Sequence, residues 1–149
     1  QPTPAPQRPP WALRPDARFL DACTRCGDCV RACPEKVLVA GDGAYPQIDF
    51  SRTGCTLCGD CRRACTTGAL GPGDAHDAFA WRVQIGDACL ARRGVECRVC
   101  GDTCAAGALR FAPTRGGVAR PELKLDVCTD CGACIAICPV DAIARRDPG

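Results

Sequence analysis

The sequence predicts an α+β fold in which one unit of short strands and short helices is repeated along the chain. Three observations support this prediction. Four groups of cysteines recur within 149 residues, short β-rich segments separate them, and 16 Gly and 13 Pro mark frequent turns. Only four Phe, two Trp and one Tyr are present, so small modules of this composition need cross-links in addition to an apolar core.

The four cysteine groups share one pattern. They begin at Cys23, Cys55, Cys89 and Cys128, and their last cysteine is followed by PEKVL, TTGAL, AAGAL or PVDAI. The apolar pair that ends each of these segments therefore keeps a fixed spacing from the fourth cysteine. Such self-similarity indicates repeated copies of one structural unit.

The segments between the groups predict the secondary structure. Strands are expected at residues 36–40, 47–50, 81–85, 108–111 and 122–125. Short helical turns are expected to start near each fourth cysteine. In three copies apolar residues and then an acidic residue precede the first cysteine, which predicts a strand running into a ligand loop at Asp21, Asp87 and Asp126.

The chain is expected to have an arm and two modules. Residues 1–15 are rich in Pro and Gln without periodicity, which predicts an extended arm. The polar, Gly-rich residues 71–77 are the expected connection between a first module at 16–72 and a second at 78–146. Residues 145–149 are expected to form a short charged tail.

The cysteine spacing predicts [4Fe–4S] clusters. Three groups have the run C-x2-C-x2-C-x3-C, and Cys33-Pro34 and Cys138-Pro139 complete the bacterial form of it. Three cysteines at two-residue gaps wrap one cubane, whereas the fourth ligates the neighbouring cluster. Gly27, Gly59 and Gly132 follow the second cysteines and give these loops backbone freedom. The expected fold is therefore a tandem of bacterial 2[4Fe–4S] ferredoxin-like modules, with short strands and short helices around the clusters.

All sixteen cysteines are candidate ligands, for up to four clusters. Two pairings of the groups remain open. In the nested one, groups two and three form an inner module, and the two proline-bearing groups form an outer one. In the sequential one, which short connections favour, groups one and two form one module and groups three and four form the other. Crossed ligation then gives four sets. These are Cys23, Cys26, Cys29 with Cys65; Cys55, Cys58, Cys61 with Cys33; Cys89, Cys97, Cys100 with Cys138; and Cys128, Cys131, Cys134 with Cys104.

Group three departs from the regular spacing, because seven residues separate Cys89 from Cys97. One register aligns Cys97 and Cys100 with the first two cysteines of a regular group, and places Thr103 where a ligand belongs. The shared AAGAL ending instead makes Cys104 the fourth ligand and Cys89 a looped-out first. The second register is favoured.

Other functions fit the sequence less well. Zinc sites seldom use three thiols at successive two-residue gaps, and such neighbours suit an inorganic core better than disulfides. With sixteen thiolates and four cluster cores the net charge becomes about −6, which argues against a nucleic-acid partner. His76 is the single histidine, and no phosphate loop or nucleophile–base pair occurs, so the chain is not expected to be an enzyme. No apolar run is long enough to predict a membrane span.

A family resemblance follows from residues 8–12, RPPWA, the three regular motifs and the irregular CLARRGVECRVCGDTC group. Together they resemble the NapF family of ferredoxin-type proteins from periplasmic nitrate reductase systems. The resemblance implies a cytoplasmic accessory protein. It implies binding to the precursor of the molybdenum-containing catalytic subunit before export by the twin-arginine route, and a role in that subunit's maturation.

The arm is the expected contact with this partner. Arg8 and Trp11 are residue types that dominate protein interfaces, and the prolines around them lower the cost of ordering. A leader without a partner is the alternative. A second function remains open, in which the chain is an electron-transfer subunit that relays electrons within an oxidoreductase complex.

Overall fold

The computed structural model describes residues 7–146, and the chain divides into two compact units. Unit 1 contains the described residues up to Asp49 together with Thr56–Phe79; unit 2 contains Phe50–Cys55 and the described residues from Ala80 onward. The module bounds of 16–72 and 78–146 stay predictions. The segment Phe50–Cys55, however, belongs to unit 2 and not to the first module.

Aromatic packing explains why this segment joins unit 2. The Phe50 ring meets the Trp81 ring edge-on, with 6.0 Å between the centroids. Gly132 lies so close that a Cβ atom there would approach Phe50 to 2.3 Å. The backbone N–H of Cys55 also donates to the carbonyl oxygen of Cys131 at 2.7 Å. The loop of group four is thus closely packed against this segment.

The described residues form five short α-helices and two single-turn 3-10 helices, the latter at Asp42–Ala44 and Ala75–Asp77. The α-helices are α1 (Asp16–Ala22), α2 (Asp28–Ala32), α3 (Asp60–Ala64), α4 (Val99–Thr103) and α5 (Ala133–Ile137). Helix α2 packs against α3 in unit 1, and α4 packs against α5 in unit 2. None of the helices within residues 7–146 is long and apolar enough to span a bilayer.

Four of these α-helices end, rather than start, at the fourth cysteine, which corrects the expectation. Helices α2, α3 and α5 follow Gly27, Gly59 and Gly132, whose φ angles of +77° to +80° favour glycine. The fourth cysteine is the extended residue that caps each helix at its C-terminus. In unit 2 the fourth cysteine of each group lines a different cavity from the other three.

The segment before Cys23 is helix α1, and the strand predicted there is wrong. Pro15 precedes the first turn, where its missing N–H is tolerated, and Asp16 lies at the positive end of the helix. Phe19 is buried on one face of α1. The burial of a single face at helical spacing therefore outweighs the β-like pattern.

The described residues form six strands in three antiparallel pairs. They are β1 (Leu38–Ala40), β2 (Pro46–Ile48), β3 (Arg82–Ile85), β4 (Leu109–Ala112), β5 (Arg120–Leu123) and β6 (Ile143–Arg146). The pairs are β1 with β2, β3 with β6 and β4 with β5. The first five strands lie within two residues of the predicted segments. Strand β6 takes residues 145 and 146 from the predicted tail, because β3 offers it a partner with Ile85 opposite Ile143.

Residues 8–13 pack into unit 1, so the extended arm is a wrong prediction for this part of the chain; residues 1–6 lie outside the described residues. Trp11 is 5% exposed, and its backbone N–H donates to the carbonyl of Ala78 at 2.7 Å. Ala12 forms a single antiparallel bridge with Leu70. Burial of the large indole stabilises this packed conformation relative to an extended one in which the ring is exposed.

Arg8 is also held within unit 1. Its guanidinium pairs with both carboxylate oxygens of Asp16, at 2.7 and 3.3 Å, and stacks near the rings of Phe19 and Tyr45. The Arg8 side chain is 13% exposed. The docking role predicted for Arg8 and Trp11 therefore conflicts with the structure, in which both side chains already have partners.

Candidate metal centres

One cavity of unit 2 gathers the cysteines of group three. It is lined by Cys89, Cys97, Cys100 and Cys138. Apolar residues such as Ile85 fill the remaining wall. The structure therefore places the looped-out Cys89 beside Cys97 and Cys100, as the favoured register requires, and adds the last cysteine of group four.

A second cavity of unit 2 gathers the cysteines of group four. It is lined by Cys104, Cys128, Cys131 and Cys134. Cys104, the last cysteine of group three, thus lines the cavity of group four, and Cys138, the last of group four, lines the cavity of group three. Both cavities match the crossed, sequential arrangement and not the nested one.

One helical turn connects the two cavities. Cys100 and Cys104 lie four residues apart, within α4 and at its C-terminal end, yet they line different cavities. The extended backbone of Cys104 accounts for the difference, because it ends the helix and redirects the side chain. Two clusters held in this way are close neighbours.

The grouping of the sulfurs affects the pKa values of the buried thiols. Burial raises the pKa of Cys134 to about 12, and four neighbouring thiols raise it too; these are Cys131, Cys128, Cys100 and Cys104. Burial likewise raises the pKa of Cys100 to about 11, with contributions from Cys89 and Cys97. Cluster binding must therefore replace protons that the metal-free chain holds tightly.

In unit 1 cysteines of groups one and two lie close together, and the first crossed set stays a prediction. Burial raises the pKa of Cys29 to about 11, followed by the charges of Cys61, Cys23 and Cys65. Burial also acts on Cys65, but hydrogen bonds from Thr67 and nearby backbone N–H groups outweigh it and lower the pKa. Cys65, the last cysteine of group two, is therefore a neighbour of group one.

The set of Cys55, Cys58 and Cys61 with Cys33 stays a prediction. Cys55 belongs to unit 2, whereas its three expected partners belong to unit 1.

Two of the cysteines in unit 1, Cys26 and Cys58, are exposed. Arg31 donates to the carbonyl oxygen of Cys26, and Arg63 donates to that of Cys58, both at 3.1 Å. Each arginine also pairs with the first residue of its helix, Asp28 or Asp60. These second cysteines are the ligand positions of unit 1 that solvent or a partner reaches directly.

Asp130 is a buried acidic residue beside a candidate ligand, and the sequence alone did not single it out. Its carboxylate is buried and accepts hydrogen bonds from the Val83 backbone N–H and from Arg82, both at 2.9 Å. Its Oδ1 atom lies 3.6 Å from the Sγ atom of Cys128. Burial raises the pKa of Cys128 to about 11, and the negative charge of Asp130 contributes to this.

The donor set fits iron–sulfur clusters. Each cavity offers four sulfurs within largely apolar walls, which limit water access. Thiolates are the ligands that hold [4Fe–4S] clusters. No group of His, Cys, Asp or Glu side chains within residues 7–146 is arranged to hold a single metal ion.

Comparisons with known proteins agree with this geometry. The family of 4Fe-4S dicluster domains matches residues 22–69 and 94–142. The chain is 44% identical over 142 residues to ferredoxin-type protein NapF of Haemophilus influenzae, covering 94% of this chain and 78% of that protein. The chain belongs to the NapF family. NapF of Escherichia coli is also 44% identical, over 141 residues that cover 93% of this chain and 84% of that protein.

A relative with a different name is similar over the same share of this chain. Methylamine utilization ferredoxin-type protein MauM of Methylorubrum extorquens is 36% identical over 156 residues, covering 93% of this chain and 70% of that protein. As a member of the NapF family with two dicluster matches, the chain is a [4Fe–4S] protein.

Proposed function

We propose that this chain is a cytoplasmic [4Fe–4S] accessory protein, with up to four clusters, that acts in the maturation of the catalytic subunit of periplasmic nitrate reductase. Its partner would be the precursor of that molybdenum-containing subunit before export. The single observation that supports this best is the similarity to NapF, which extends over more than nine-tenths of the chain at 44% identity. The similarity includes the irregular third group as well as the regular motifs.

The proposal assigns the chain no catalytic activity of its own, since the chemistry at its sites is thiolate ligation. Electrons or cluster contacts would reach the partner through unit 1. The exposed Cys26 and Cys58 mark the cluster corners nearest to its surface, and the exposed Arg31 and Arg63 flank them.

A binding experiment tests the maturation role. The anaerobically purified full chain is incubated with the catalytic subunit carrying its export signal, and with the mature, molybdenum-loaded subunit. We expect capture of the precursor alone, and a loss of active reductase in cells that lack the chain. Equal capture of both forms would contradict the proposal.

Matched arginine variants locate the contact. Arg31→Gln with Arg63→Gln removes two charges beside the exposed cysteines and is expected to weaken capture several-fold at low salt. Arg110→Gln with Arg115→Gln makes the same change of charge in unit 2, where both residues are exposed, and is expected to leave capture unchanged. Equal losses from both pairs would mean that net charge alone controls the binding.

An electron relay is the second candidate, and the neighbouring cavities of unit 2 favour it. Cys100 and Cys104 bring two clusters within one helical turn, as a relay requires. A reduced chain that is rapidly reoxidised by mature reductase and nitrate would support the relay. Slow reoxidation together with selective capture of the precursor would support maturation.

A further inference from the structure

One position of the cysteine motif carries a different charge in each regular group. It is the residue immediately before the second cysteine, and it is Arg25 in group one, Leu57 in group two and Asp130 in group four. All three have left-handed backbones, with φ of 61°, 59° and 57°. The loop geometry is therefore shared, and the side chain distinguishes the three sites.

The Asp130 side chain is the buried member of this set. Asp130 is 3% exposed, whereas Arg25 is exposed and its guanidinium lies 5.4 Å from the centre of the Tyr45 ring. Water screens an exposed charge effectively, but it screens a buried charge only weakly. A carboxylate at this position in group four therefore acts on its surroundings more strongly than the exposed arginine does in group one.

The carboxylate faces a ligand sulfur. The Oδ1 atom of Asp130 lies 3.6 Å from Cys128 Sγ, and the Asp130 backbone N–H lies 3.4 Å from the same sulfur. Once Cys128 binds iron as a thiolate it has no proton to share with the carboxylate. Two negative groups then face each other. The half-exposed Arg82 offsets only part of the Asp130 charge, so any further negative charge on that site is disfavoured.

We propose that Asp130 lowers the reduction potential of the cluster held by Cys128, Cys131, Cys134 and Cys104. Reduction adds one electron, and therefore one negative charge, to this site, and the fixed charge of Asp130 opposes it. An electron placed here would leave more readily for a neighbouring site. The inference depends on the ligand set of this cavity and holds for either function proposed above.

A purely structural role is the alternative. Asp130 also connects the loop of group four to β3, through the Val83 N–H and the Arg82 guanidinium. Loss of that connection would loosen the loop without a defined direction of change in potential. The direction of the shift therefore separates the two roles.

The experiment is a redox titration of the anaerobically purified full chain, followed by electron paramagnetic resonance. Asp130→Asn keeps the shape and removes the charge. We expect one component to become easier to reduce by about tenfold in its equilibrium constant, which corresponds to about 59 mV for one electron. Asp126→Asn is the matched control, because it makes the same change of charge in the same loop at an exposed residue.

Arg82→Gln provides a second test that keeps Asp130 in place. The Arg82 side chain is 44% exposed and supplies the positive charge beside Asp130. Its loss should make the same component harder to reduce, by less than the Asp130→Asn shift. The proposal is overturned by an unshifted Asp130→Asn protein, by equal shifts in Asp126→Asn, or by an Arg82→Gln shift in the same direction as Asp130→Asn. If Asp130→Asn fails to load clusters, the direction of the Arg82→Gln shift decides.

Discussion

The two units solve the same closure problem differently. Each has a two-stranded hairpin and a pair of short helices, and in each the start and end of the module must meet. Unit 2 joins them through β3 and β6, which pair over four residues from Arg82 opposite Arg146 to Ile85 opposite Ile143. Unit 1 has one bridge, Ala12 with Leu70. Backbone pairing over four residues therefore closes unit 2. Unit 1 has backbone bonds from the Leu13 N–H to the Ala69 carbonyl and from the Gly71 N–H to the Trp11 carbonyl around its bridge, and side chains add to this shorter closure.

Trp11 is the centre of that side-chain closure. Its indole N–H donates to the carbonyl of Asp74 at 2.9 Å, and the Arg62 guanidinium lies 4.1 Å from the centre of the ring. Arg62 also donates to the carbonyl of Gly73. A strand ladder can therefore be replaced largely by the contacts of one buried aromatic side chain. The stability of unit 1 then depends on a few contacts.

The largest difference between the two units is expected when a cysteine ligand is replaced. Cys134 belongs to the apolar core of unit 2 as well as to a cavity, so Cys134→Ser should remove one cluster, about four iron atoms per chain, and unfold that core. Cys26→Ser changes an exposed ligand and should give a cluster that oxygen destroys faster in a unit that stays folded. Iron analysis and hydrogen exchange measure both effects. Identical exchange patterns in the two variants would show that the units do not differ in this way.

Replacement of Trp11 should have the next largest effect. Trp11→Ala removes the buried indole and should lower the free energy of unfolding of unit 1 by about 3–5 kcal/mol. The amides of Leu13 and Gly71, which bond across the closure, should exchange faster in hydrogen-exchange measurements.

Trp81→Ala is the comparison in unit 2. It removes a similar buried ring, but the β3–β6 amides should stay protected because the ladder remains. Loss of protection on β3 and β6 equal to that at Leu13 and Gly71 would contradict the difference in closure.

The smallest expected effect concerns Arg62. Arg62→Lys keeps the charge but loses the planar stacking on Trp11, and should lower the stability of unit 1 by about 1 kcal/mol in denaturant titrations. Arg63→Lys changes the next residue, which is exposed and pairs with Asp60, and should have no measurable effect. A larger loss of stability from Arg63→Lys would show that Arg63, and not Arg62, is the arginine that stabilises unit 1.

Spacing along the chain was enough to predict the hairpins and which cysteines of unit 2 line each cavity, whereas the ligand sets themselves stay predictions. The cysteine runs and the repeated ending determine which residues face one cavity, because both are local patterns. The AAGAL ending also predicted the register of group three. In the structure Cys104 lines the cavity of group four, and Cys138 lines the cavity of group three. The cluster number and the set that contains Cys55 stay predictions.

Long-range contacts account for the errors. Strand β6 is a strand because β3 lies beside it, and nothing within its own charged sequence indicates this. Trp11 and Arg8 resemble an exposed docking segment until their partners, more than sixty residues away for Trp11 and on α1 for Arg8, are known. Asp130 was overlooked for the same reason, since Val83 and Arg82 are distant in sequence.

The loop between Cys89 and Cys97 has a consequence for how this family varies. It folds on itself: Arg93 N–H bonds to the Cys89 carbonyl, Val95 N–H bonds to the Leu90 carbonyl, and Ala91 is buried beneath. The turn is also attached to the rest of unit 2, since Arg92 donates to the carbonyl oxygen of Ile85 at 2.7 Å and Leu90 lines the cavity of group three. An insertion or deletion between Cys89 and Cys97 should therefore disturb that cavity, and we expect relatives that use both cysteines as ligands to keep the length of this loop.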